Sequence, residues 1–178
     1  MNNNYKPIWQ RRFLVEGLPE PLSPRDLHWQ IFDNYIENTR LRLRKIRVPE
    51  TKNWTRIFEQ RIFFEDDNFS KLKLSQMYLT ESEYNKLEYF KGREIRKNRY
   101  FLQYNNRQIA IDIFLGELWG LNIGLVEFEN EEDCSMFEKP EFSVSEVTNN
   151  KFFTGETLVG KTFADVQKEF TRKSKKAK

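Results

Sequence analysis

Residues 39–46 read Thr-Arg-Leu-Arg-Leu-Arg-Lys-Ile, and this stretch restricts the fold more than any other. In an extended chain successive side chains point to opposite faces, so Arg40, Arg42 and Arg44 share one face while Leu41 and Leu43 share the other. The same period of two runs through residues 8–15, 55–64, 71–79, 93–103, 108–115 and 124–129, each read here as a strand. Turn signals separate them: Gly17-Leu18-Pro19, residues 49–53, residues 65–68, and Asn105-Asn106. Asparagine tolerates positive φ, so the last pair suits a tight hairpin. Helices are predicted over 23–33, with a Pro in its first turn, and over 80–90, which opens on a capping-box pattern. Shorter ones are predicted over 131–137 and 163–172.

Composition agrees with strands that have one dry and one wet face. Sixteen Phe, seven Tyr and four Trp stand beside 32% charged residues and a mean hydropathy of -0.79. Disorder would need fewer aromatics, whereas an antiparallel barrel with a polar interior accommodates both groups. A chain of 178 residues is read as one domain. The expected division is a flexible segment 1–6, a barrel over 7–165 and a helical, basic tail over 166–178, whose last residues, 171–178, are expected to be a solvated terminus. Lys and Arg total 30 against 27 Asp and Glu. The resulting net charge of +3 does not by itself point to nucleic acid, so any functional field must come from arrangement. One cysteine, Cys134, excludes an internal disulfide, and no Cys/His cluster offers a zinc site. A soluble, cytoplasmic protein is expected, with no membrane span and no apolar leader. There is no internal repeat, glycine-rich phosphate loop or dinucleotide fingerprint.

The strand faces are more informative when taken together. Arg12 lies on the side of Ile8 and Gln10, Arg61 on that of Glu59 and Ile57, and Lys97 and Arg99 on that of Phe101. Asp112 points away from Ile111 and Ile113, and Glu127 and Glu129 away from Val126 and Phe128. If these strands close into one sheet with covering helices outside, the charges point inward. An enclosed ring of Arg and Lys is costly unless acids or a ligand neutralise it. Phosphate is a natural guest, because guanidinium forks match its oxygens in pairs. An ordinary sheet with one solvated, mixed-charge face would give the same alternation, so the pattern alone leaves both open.

Several short motifs, in order, resemble the CYTH domain family, the triphosphate tunnel metalloenzymes. Arg11-Arg12-Phe13-Leu14-Val15 is similar to the end of a first strand that commonly reads Glu-x-Glu-x-Lys-Phe-x-Val in that family. Residues 31–36 and 40–44 are similar to its second-strand region, and residues 95–100 to its Ile-x-Lys-x-Arg-Tyr element. Residues 111–121 resemble Ile-Asp-x-Phe-x-Gly-x-Leu-x-Gly-Leu, residues 126–129 a Glu-x-Glu strand, and residues 145–148 a late Glu-Val-Thr. The resemblance spans about residues 7–160 and implies an α+β fold, an eight-stranded antiparallel tunnel with helices packed outside. It also implies triphosphatase or adenylyl cyclase chemistry with Mg²⁺ or Mn²⁺ held by carboxylates. On that resemblance Arg12, Arg42, Arg44, Arg61, Lys97 and Arg99 match phosphate-gripping positions, while Asp112, Glu127, Glu129 and Glu146 match acidic, metal-binding ones.

The departures bear on function. Ile8 and Gln10 stand where the family has its first-strand carboxylates, and Lys73 and Ser75 stand in the region of the next acidic pair. An Ile cannot coordinate a cation and a Gln offers one neutral oxygen, so cations are kept while acids are lost. The expected function is capture of a phosphate-rich small molecule or polyphosphate (nucleotide, tripolyphosphate) with weak or absent hydrolysis. A metal-dependent triphosphatase, or less readily a cyclase, is the enzymatic alternative. A protein or RNA interaction module using the barrel exterior and basic tail is the third. Trp9, Trp29, Trp54 and Trp119 are read as core more readily than as interface anchors. His28 and Cys134 have no partner in an identifiable catalytic motif.

Overall fold

The computed structural model describes residues 6–90 and 92–176. Nine strands carry the architecture: β1 (Lys6–Val15), β2 (Trp29–Tyr35), β3 (Leu41–Val48), β4 (Asn53–Phe63), β5 (Lys71–Tyr78), β6 (Arg93–Tyr104), β7 (Arg107–Phe114), β8 (Asn122–Phe128) and β9 (Ser143–Glu146). The sheet order β5-β4-β3-β2-β6-β7-β8-β1-β9, with a further β5–β1 pairing, closes the first eight strands into an antiparallel barrel. β1 makes the closure by dividing one edge: residues 6–9 pair with β5, and residues 13–15 pair with β9. Four helices lie outside or at an end: α1 (Glu81–Leu87), α2 (Glu131–Met136), α3 (Gly155–Leu158) and α4 (Phe163–Lys176). No helix among the described residues is long and apolar enough to cross a membrane.

Local chemistry explains the joints. Asn105 and Asn106, at φ 47° and 59°, form the two-residue turn between β6 and β7, and Tyr104 pairs directly with Arg107. Thr80 caps α1 reciprocally with Glu83 in a complete capping box. The predicted strands stand, with ends displaced by one to two residues. The helix predicted over 23–33 does not form: β2 starts at Trp29, pairs with both β3 and β6, and alternates Ile31 and Asp33 against Phe32. A local helical pattern lost there to two flanking ladders. Residues 1–5 lie outside the described residues, and Lys6 already belongs to β1. Residues 171–176, expected as a solvated tail, form the last turns of α4.

Two apolar clusters flank the barrel wall. Outside, Phe13, Tyr100, Ile109, Ile111, Val126 and Phe128 pack with Cys134 of α2 beneath Phe137 and Phe142. At one end of the interior, Leu14, Ile95, Phe114 and Ile123 pack against Phe153, Leu158 and Val166. Residues 151–158 therefore cap the lumen at that end, and α4 holds the cap through Val166 and a Phe170–Phe153 ring contact at 5.8 Å. Three of the tryptophans read as core are instead exposed: Trp29 at 38%, Trp54 at 43% and Trp119 at 67%. A barrel with a polar interior has fewer apolar interior positions than the aromatic content suggests. Leu158→Ala is expected to cost about 2–5 kcal/mol by opening a cavity between cap and barrel, read as a lower urea midpoint.

Candidate functional site

Direct cross-strand partners share a face, so the registers carry the charged residues of separate strands to one interior belt. Arg42 and Arg44 on β3 lie opposite Tyr35 and Asp33 on β2, and opposite Glu59 and Ile57 on β4. Arg99 on β6 lies opposite Asp112 on β7, and Arg61 on β4 opposite Leu74 on β5. A cavity of about 90 Å³ runs through the belt, lined by Arg12, Arg42, Arg44, Arg61, Lys97 and Arg99 together. That is room for several water-sized groups. The six cations predicted to face one lumen do so.

Three buried carboxylates hold four of them. Asp33 accepts a fork from Arg44, Nε to Oδ1 at 2.6 Å and Nη2 to Oδ2 at 2.7 Å, and a third bond from Arg42 Nη1 at 3.2 Å. Asp112 accepts an equivalent fork from Arg99 at 2.6 and 2.8 Å, and a bond from Lys97 Nζ at 2.7 Å. Glu59 accepts from Arg42 Nη2 and, at 2.9 Å, from Gln76 Nε2. Burial pushes all three carboxyls up, but the adjacent guanidinium and ammonium groups override it. Arg42, Arg44 and Lys97 hold Asp33 far below the ordinary carboxylate range, and Glu59 and Asp112 are drawn down to about 2.

Arg12 and Arg61 are different. Among the described residues Arg12 has no carboxylate partner; it donates to the carbonyls of Phe153 at 2.7 Å and Thr148 at 2.6 Å. Arg61 meets Glu59 only at 3.5 Å, as an ion pair without a hydrogen bond from Nε. The buried Nε groups of Arg12, Arg42 and Arg61 donate to no protein atom. Burial first, and repulsion from Arg61 second, lower Arg12 to about 10. Burial likewise lowers Lys97, to about 8, despite Asp112. The belt thus carries six cations against three buried carboxylates, with three buried guanidinium donors unused. An arrangement of this kind can bind a multivalent oxyanion.

Of the acidic residues named from sequence as metal ligands, Asp112 and Glu127 line the lumen, Glu129 lies with Glu127 in a second hollow, and Glu146 lies elsewhere. Asp112 is committed to Lys97 and Arg99. Glu146 sits on β9 outside the barrel, where Arg11 pairs with it at 2.6 Å, because β9 presents it to the opposite face of β1 from Arg12. Glu127 lines the lumen and, with Glu129, a second hollow at the rim beside Trp29 and Phe101. Among the described residues no three His, Cys, Asp or Glu side chains come together. Divalent ions in phosphate sites want carboxylate oxygens free to coordinate, and here the enclosed ones are occupied by cationic donors, so this donor set does not form a resident metal site. Lys73 and Ser75 are also corrected: the interior positions of β5 are Leu72, Leu74 and Gln76, opposite Phe63, Arg61 and Glu59. The interior positions near the start of β1 are Ile8 and Gln10; Gln10 Nε2 donates to the Phe69 carbonyl at 2.9 Å.

Sequence reasoning missed Asp33, Tyr35 and the cap. The alternation of Ile31, Asp33 and Tyr35 was the available signal for β2. Glu156 in the cap had none, since only tertiary packing brings it to the lumen.

No protein-family model and no curated protein sequence matches the chain. Solved structures similar to it include two of one protein. The inorganic triphosphatase NE1496 is 20% identical with a TM-score of 0.56, over 85% of this chain and 96% of that one. A second structure, of the hypothetical protein NE1496, is 19% identical with a TM-score of 0.58, over 87% and 99%. At such identity the likeness is one of fold: the eight-stranded antiparallel barrel is what the chain shares with these structures.

Asp33→Ala leaves Arg44 without a carboxylate and removes one of the two that hold Arg42, and is expected to cost about 3–5 kcal/mol in chemical denaturation. The carboxylates also set an acid limit. Glu59 and Asp112 titrate at about 2 when folded, against ordinary values of 4.5 and 3.8. Their stabilisation is complete above the ordinary values and disappears as pH falls through about 2, which urea titrations between pH 5 and pH 2 would follow.

Proposed function

We propose that the lumen binds a triphosphate-type anion (nucleotide, tripolyphosphate or polyphosphate) and that hydrolysis is weak or absent. One observation carries this reading: Arg12 and Arg61 face a shared cavity without a carboxylate hydrogen-bonded to either, next to four cations already oriented by Asp33, Glu59 and Asp112. The ion pairs pre-position their guanidinium groups, which lowers the ordering cost of binding. Arg12 and Arg61 supply the least compensated charge. The similarity in fold to an inorganic triphosphatase supports a phosphate-rich guest.

Weak turnover follows from the acids. Water activation by divalent ions needs carboxylates free to coordinate them, and Ile8, Gln10, Leu72, Leu74 and Gln76 occupy interior positions of β1 and β5. Mg²⁺ or Mn²⁺ is therefore assigned no resident role, and an ion carried in by the anion would find Glu127 and Glu129 at the rim. The buried Cys134, free of any disulfide, suits a reducing cytoplasm.

Calorimetry with tripolyphosphate in the presence of a chelator is expected to show binding without added metal, weakened at least tenfold by Arg12→Ala or Arg61→Ala. Loss of binding on chelation, or phosphate release abolished by Glu127→Gln, would instead establish the metal-dependent enzyme. Lys97 adds a pH signature. Its folded value of about 8 lies below the ordinary 10.5, so the cation is lost as pH rises through about 8. Anion affinity should fall over that interval with proton uptake on binding, and Lys97→Arg should flatten the fall.

A further inference from the structure

The lumen has two populations of cations, and the cap faces the second. Arg42, Arg44, Lys97 and Arg99 each hydrogen-bond a buried carboxylate, whereas Arg12 and Arg61 do not. Above that pair lies α3, at the closed end of the barrel, and its Glu156 lines the same cavity. Burial raises the Glu156 carboxyl, and Arg61 first, then Arg42, draw it back down.

The backbone beneath Glu156 is rigidly seated. Gly155 touches Tyr35 so closely that a Cβ there would lie 1.8 Å from the phenol oxygen. Phe153 and Leu158, on either side, are 2% and 1% exposed within the interior cluster. Arg12 itself ties down the cap by donating to the Phe153 carbonyl. The Glu156 side chain, by contrast, remains exposed, with no hydrogen bond or close ion pair fixing it among the described residues. A firmly placed backbone thus carries a loosely held carboxylate over the least neutralised part of the lumen.

We propose that Glu156 is a built-in counter-anion of Arg61, which an incoming phosphate anion must displace. This rests on the lumen being an anion site. The consequence is selectivity by charge: a singly charged anion gains too little at Arg61 to move the carboxylate, while a multivalent phosphate that also reaches Arg12 gains more than it displaces. Glu156 is a positioning and specificity residue here, and no bond is made or broken.

Calorimetric titration of tripolyphosphate into wild type, Glu156→Gln, Arg61→Ala and the double variant tests the idea. Glu156→Gln is expected to bind about five- to twentyfold tighter, the range of ordinary coupling between neighbouring sites. That gain should shrink at high salt and largely vanish in the Arg61→Ala background. A purely structural role for Glu156 would produce neither dependence. Equal or weaker binding by Glu156→Gln, or a gain undiminished without Arg61, overturns the counter-anion role while leaving a wild-type lumen that binds intact. Failure of both wild type and Glu156→Gln to bind tripolyphosphate removes the lumen reading and this one together. Binding by Glu156→Gln alone supports both.

Discussion

Enclosing six cations inside a closed barrel is the constraint around which the rest of this structure is arranged. A lone buried guanidinium is far from its preferred solvent, and several facing one another add repulsion. Asp33, Glu59 and Asp112 meet that demand from three different strands, and two of them accept forked bonds that fix the arginine planes. Replacing such networks by well-packed apolar side chains is often neutral or stabilising, so a stable barrel does not by itself require this one.

The incompleteness of the network is as telling as its geometry. Had each arginine owned a carboxylate, the lumen would be a neutral ionic core. Arg12 instead leans on the carbonyls of Thr148 and Phe153, and Arg61 on a distant Glu59. Carbonyl dipoles ease the burial of Arg12 without cancelling its charge, and its lowered proton affinity is the physical sign of that residual cost. The same carbonyls belong to the segment that closes the barrel. Closure of the lumen and incomplete neutralisation within it are therefore one structural fact, joined at Arg12.

Much of this was legible in the chain. Period-two alternation set strand faces correctly for Arg12, Arg42, Arg44, Arg61, Lys97 and Arg99, because a strand cannot turn one side chain inward without turning its neighbours out. The Asn105-Asn106 turn was equally readable, since few residues accept two successive positive φ values. β2 was misread where a Ser-Pro start and scattered polar residues imitate a helix; its extended form is imposed by hydrogen bonds to β3 and β6, which lie outside any local window. The surroundings of two of the acids named as metal ligands were illegible for a related reason. Asp112 and Glu146 sit on suitable strands, yet their partners across the ladders consume one and turn the other to the outside.

By itself, then, the amino-acid order determined which side chains travel together on each strand, and hence that charge and bulk would part to opposite faces. Which face became the interior, which acid met which base, and what lay over the end of the lumen were decided only by closure. Those outcomes depend on register between distant segments, on β1 sharing its edge between β5 and β9, and on a C-terminal cap anchored by Leu158 and Val166. Pairwise spacing in a single strand contains none of that information, because it arises from contacts more than a hundred residues apart, such as Arg12 with Thr148 and Phe153.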